Sequence, residues 1–81
     1  MQQQPPSIEK LRWQCRRGML ELDFVLRGFL DNHYPTLSAD DQALFVKILD
    51  YQDQLLLDWV MGHVVPSDAA IRRLVALMQN G

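Results

Sequence analysis

A single cysteine, Cys15, excludes an internal disulfide and fits a reducing compartment. The four glycines stand singly, so no glycine-rich loop is present to cradle a phosphate, and the chain is too short for a dinucleotide-binding fold. No uninterrupted apolar run approaches the ~20 residues of a membrane span, and no basic-then-apolar leader opens the sequence. Period-two alternation is missing, as are Asn-Gly and Asp-Gly hairpin turns, so strands are not expected. A surplus of positive charge is lacking too. Eight Lys and Arg against ten Asp and Glu give a formal net charge of −2, whereas phosphate neutralisation needs a broad positive surface. These absences lead us to expect a cytoplasmic protein with no nucleic-acid partner and no direct membrane insertion.

What the chain does have is apolar side chains at helical spacing. With 48% hydrophobic and 22% charged residues it should fold rather than stay disordered. Its 81 residues make one small domain. We place that domain at 7–81 and read the opening "MQQQPP", 1–6, as a frayed lead-in. Ser7 can cap a first short helix carrying Ile8, Leu11 and Cys15 on one stripe. A second helix runs to about Tyr34 with Leu22, Val25, Leu26, Phe29 and Leu30 inward, and Pro35 enforces its stop. Ser38 with Asp41 three residues on resembles a capping box for a third helix, whose Leu44, Phe45, Ile48 and Leu49 face the core. Asp53 is the expected cap of a fourth helix, "QLLLDWVMGHVV", which Gly62 and Pro66 end. Ser67 is the expected cap of a fifth, with Ile71, Leu74, Val75 and Met78 inward and Arg72 and Arg73 outward. The expected fold is all-α, a compact antiparallel bundle of about five short helices.

Catalytic sets are thin. His33 and His63 lie far apart on different helices, neither with a second ligand at metal spacing, so no metal site is expected. Cys15 falls on a buried stripe, where a cysteine is usually a small inert hydrophobe. The acidic pairs Asp40/Asp41 and Asp50/Asp53 read as helix-start and loop charges. We therefore expect no independent enzyme and no stably bound cofactor.

The unusual stretch is "CRRGMLELD", Cys15 to Asp23. Five basic residues against three acidic ones lie between Met1 and Arg27, and three against seven follow, a polarity that suits a protein partner with its own charge pattern. Gly18 can serve as the N-cap of the second helix with Glu21 reaching back to a free N–H, and Arg17 can pair with Glu21 in solvent. This explains the glycine and the glutamate but not Arg16 and Arg17, whose charge is the wrong sign for a helix N-terminus. Trp13 lies off the stripe of Ile8, Leu11 and Cys15. If the helical path continued through Gly18, Trp13, Arg16, Arg17 and Leu20 would share a side with Glu21 beside them, an aromatic among arginines as in interface hot spots. The residues alone leave cap and binding surface both open.

"RRGMLELD" resembles the R-G-x-x-E signature of the small bacterial succinate dehydrogenase assembly factors of the SdhE type, related to the mitochondrial flavinylation factors. "LSADDQALFVKILDYQDQLLLDWVMGH" is similar to the family's second block, and the two together span roughly Trp13 to Pro66. The resemblance implies an all-helical assembly factor that binds the flavoprotein subunit of succinate dehydrogenase, as family members often do that of fumarate reductase too, and promotes covalent attachment of FAD to a client histidine, with the preference between the two clients left open. Carried over by position, it makes Arg17, Gly18 and Glu21 the client-binding residues, with Arg16, Trp13 and Asp23 as neighbours, and Trp59 a core residue. FAD is then the client's cofactor. Many relatives carry a further polar tail after the fifth helix, a departure that leaves the tail's role open here, and the glutamine-proline head gives no sign of a mitochondrial presequence, so a bacterial protein is expected. Two rival readings are a small regulatory, antitoxin-like binding module without a role in flavinylation, and a flavin carrier with Trp13 stacked on the isoalloxazine ring.

Overall fold

Side-chain caps decide where most of the helices begin. In the computed structural model, which describes residues 7–80, Ser7 Oγ accepts from the Lys10 N–H at 3.1 Å and opens α1 (Ile8–Gln14). Ser38 Oγ accepts from the Asp41 N–H at 3.2 Å and opens α3 (Ala39–Ile48). Between them lies α2 (Leu20–Asn32), followed by a 3-10 turn at Tyr34–Thr36 that carries Pro35 in its first turn. The proline therefore falls beyond the end of α2, as its missing N–H requires. Then come α4 (Asp53–Val60) and α5 (Ala69–Asn80). The expected lead-in at 1–6 lies outside the described residues.

Two caps differ from the sequence expectation by one residue. Gln52, not Asp53, precedes α4, and Asp53 is the helix's first residue, its carboxylate turned to another element. Asp68 takes the place expected of Ser67, its Oδ1 accepting from the N–H groups of Ala70 at 2.8 Å and Ile71 at 3.1 Å. At the far end of α4, Gly62 adopts φ +79°, where a side chain would be strained. The N–H groups of Gly62 and His63 donate to the carbonyls of Trp59 and Asp58. That closure ends α4 at Val60, so Met61, Val64 and Val65, read as helix from their apolarity, lie exposed in a loop.

The long α2 is the centre of the bundle, packing on α1, the 3-10 turn, α4 and α5, while α5 also packs on α3 and α4. Its Leu22, Leu26, Phe29 and Leu30 are buried, four positions on one helical face. Phe29 stacks on Phe45 of α3 at 4.9 Å between ring centroids, and Tyr34 tilts against the same ring at 5.6 Å. Trp59 is buried, as expected, edge-on to Tyr51. The expected stripe of α5 is buried in full, with Arg72 and Arg73 outside. Ile8 departs from expectation and is exposed, and Val25 and Leu44 are only half-buried. Ile8 is the first residue of a seven-residue helix whose buried positions, Leu11 and the C-cap Cys15, lie further along it.

Candidate functional site

The joint between α1 and α2 is where the unusual residues lie. The chain leaves α1 at Cys15 and runs non-helically through Arg16, Arg17, Gly18 and Met19 before α2 begins at Leu20. Gly18 takes φ +76°, a left-handed conformation that L side chains rarely adopt. Nothing lies within 4 Å of where its Cβ would stand, so backbone strain rather than crowding selects glycine.

This geometry corrects two expectations. Gly18 is not the N-cap of α2; Met19 holds that place, without a side-chain cap. The helix instead fixes the joint from its own first turns: Asp23 Oδ1 accepts from the Arg17 N–H at 2.7 Å and Oδ2 from the Gly18 N–H at 3.2 Å. One carboxylate thus satisfies two successive backbone donors, a charge-assisted arrangement that holds the loop against α2. Glu21, expected to reach back, is exposed and makes no hydrogen bond or ion pair among the described residues.

Arg17 is the second correction. Rather than pairing with Glu21 in solvent, its guanidinium turns inward. Nη1 lies 3.0 Å from Asp53 Oδ1, and Nη2 donates to the Leu49 carbonyl. Leu49 is the C-cap of α3 and Asp53 opens α4. The cation therefore sits at the negative end of one helix dipole and beside a first-turn carboxylate of the next. Its charge, the wrong sign for the start of α2, has the right sign for the end of α3.

Arg16 goes the other way. It is exposed, its guanidinium carbon 5.2 Å from the centroid of the Trp13 ring, within cation–π range. Trp13 is itself 70% exposed. The helical continuation through Gly18 that would have aligned Arg17 with these residues does not occur. Trp13, Arg16, Leu20 and Glu21 remain on the surface, while Arg17 and Asp23 work beneath it.

Sequence reasoning missed three neighbours. Phe24 is 70% exposed and stands one turn from Leu20, which is 86% exposed. Arg27 and Arg12 join Arg16, Leu20, Asp23 and the base of Cys15 in lining a groove of about 510 Å³ between α1 and α2. Arg12 reaches Asp31 at 2.9 Å. The signal was available: Leu20, Phe24 and Arg27 recur at i, i+4 and i+7, opposite the core stripe. Cys15 is buried, and burial pushes its thiol up from an ordinary 9.0 to about 11, against a lowering by Arg17. Such a thiol is protonated and unsuited to nucleophilic work.

The joint is tied by hydrogen bonds from Asp23 and Arg17 and presents an aromatic, cations, apolar side chains and a carboxylate that has no partner among the described residues. The family model described as "Flavinator of succinate dehydrogenase" matches residues 9–81. A protein of Shewanella oneidensis named FAD assembly factor SdhE is 46% identical over 74 residues, covering 91% of this chain and 90% of the relative. One of the same name from Pseudomonas aeruginosa is 45% identical over 72 residues, covering 89% and 86%. Another, from Coxiella burnetii, is 38% identical over 77 residues, covering 95% and 94%.

Proposed function

This chain belongs to the family of succinate dehydrogenase flavinators, and from that premise we propose that it is an assembly factor that binds the flavoprotein subunit of that enzyme through the α1–α2 joint. Bound there, it favours the client conformation in which FAD becomes covalently attached to a histidine. The acid–base chemistry belongs to the client and its FAD. This chain contributes a rigid surface that selects one arrangement of the client, in which histidine and flavin are held close enough to react.

The observation that carries this reading is the contrast between the two layers of the joint. Asp23 and Arg17 fix the backbone from below, so Trp13, Arg16 and Glu21 are presented above at little conformational cost on binding. Glu21 is an exposed charge of the joint with no partner among the described residues, and Gly18 leaves open space above the turn for a partner's backbone. A titration with purified flavoprotein subunit tests this. Wild type should bind, and Glu21→Ala should bind at least about tenfold more weakly with an unchanged melting temperature. Equal affinities would remove Glu21 from the contact. The fumarate reductase flavoprotein, titrated in parallel, establishes whether the same surface takes a second client.

A further inference from the structure

The groove between α1 and α2 extends the candidate surface beyond the signature residues, and its chemistry describes what should fill it. The acidic residue in its lining, Asp23, has both oxygens facing backbone N–H groups, and the lining residue Arg12 is held by Asp31. Arg16 and Arg27 are exposed and have no carboxylate partner among the described residues. Beside them Leu20 and Phe24 stand almost uncovered on the outer face of α2. Scattered exposed apolar residues are ordinary, but a large pair one turn apart, next to an exposed tryptophan and two unpaired guanidinium groups, has the composition of a binding surface.

We infer that this groove receives an acidic segment of the flavoprotein client, with at least one carboxylate seated between Arg16 and Arg27 and an apolar or aromatic side chain laid on Leu20 and Phe24. Guanidinium forks favour carboxylates because two parallel N–H donors match two oxygens. The apolar pair supplies the area that surface charge pairs lack. The inference rests on the proposed client binding but assigns Leu20, Phe24 and Arg27 a part in it.

Because these side chains lie outside the core, their replacement should leave melting temperatures unchanged. In titrations with the purified succinate dehydrogenase flavoprotein subunit, Phe24→Ser and Arg27→Glu should each weaken binding by about tenfold or more. Arg27→Ala should also flatten the dependence of affinity on salt. Val65→Ala, at a site 72% exposed in the α4–α5 loop, should change affinity by less than about twofold. Wild-type affinity for the Phe24 and Arg27 variants, with Glu21→Ala still impaired, would overturn this inference and leave the proposed function standing. A wild-type dimer that Phe24→Ser converts to monomers in sedimentation would assign the groove to a second copy, and overturns it as well. Failure of the wild-type chain to bind the flavoprotein at all would overturn both.

Discussion

Arg16 and Arg17 are adjacent and chemically identical, yet they serve opposite sides of the joint. Arg16 lies on Trp13 in solvent, whereas Arg17 ties the joint to the end of α3 and the start of α4. Arg17 should therefore act on client binding through position. Arg17→Ala and Asp53→Ala are each expected to destabilise the fold by about 1–3 kcal/mol, since each leaves part-buried polar groups without a partner. Each should also weaken client binding, and the double variant should bind no worse than the weaker single one. Arg17→Lys, which keeps the charge beside Asp53, should recover part of the affinity. If Asp53→Ala bound like wild type while Arg17→Ala did not, Arg17 would itself touch the client.

Cys15 behaves as a core residue, and its chemistry can be checked by pH. The folded state keeps its thiol proton up to about pH 11, while the unfolded chain loses it near 9.0. The contribution of this group to stability is thus full below about pH 9 and declines as pH rises from 9 to 11. At pH 8 a thiol reagent should modify native protein slowly and denatured protein fast. Rapid native modification would contradict the burial.

At the scale of elements, α2 and α4 both lack a side-chain N-cap, but α2 uses Asp23 from inside the helix to hold the preceding loop. Asp23→Asn should lower stability by about 1 kcal/mol, removing one acceptor and the charge. Gly18→Ala should cost roughly 1–2 kcal/mol through φ alone, since its Cβ meets nothing. Equilibrium denaturation measures both, and a loss near 4 kcal/mol for Gly18→Ala would mean a clash that the open space excludes.

The elements themselves were legible where the determinant was local. Ser7 and Ser38 were read as caps because the bonds they make close over three residues. Asp53 and Ser67 were misread because several polar residues at a helix start can each cap it, and loop geometry chooses among them. The Arg17 contact was not legible at all. Its partner Asp53 is 36 positions away, and no local period encodes a link across three helices. The signature residues were legible as a cluster, but the division of that cluster into a supporting layer and a presented layer needed the turn at Gly18.

For the whole molecule, α2 unites the two halves of the account. One face supplies Leu22, Leu26, Phe29 and Leu30 to the core, and the opposite face carries Leu20, Phe24 and Arg27 into solvent. The radius of gyration of 12.0 Å is about that of a close-packed chain of this length, so the exposed apolar face does not reflect loose packing. A chain of this size has a total stability of roughly 4–12 kcal/mol. Surface variants on α2 should leave that reserve intact, which allows function to be tested apart from folding.

The most direct measurement is flavin fluorescence of the denatured succinate dehydrogenase flavoprotein, separated by gel electrophoresis, from cells lacking this gene and carrying either wild type or Glu21→Ala. We expect the covalent flavin signal to fall sharply on deletion, to return with wild type, and to stay low with a stably expressed Glu21→Ala protein. An undiminished signal in the deletion strain would contradict the proposed role in flavinylation, and full rescue by Glu21→Ala would contradict the part given to the α1–α2 joint.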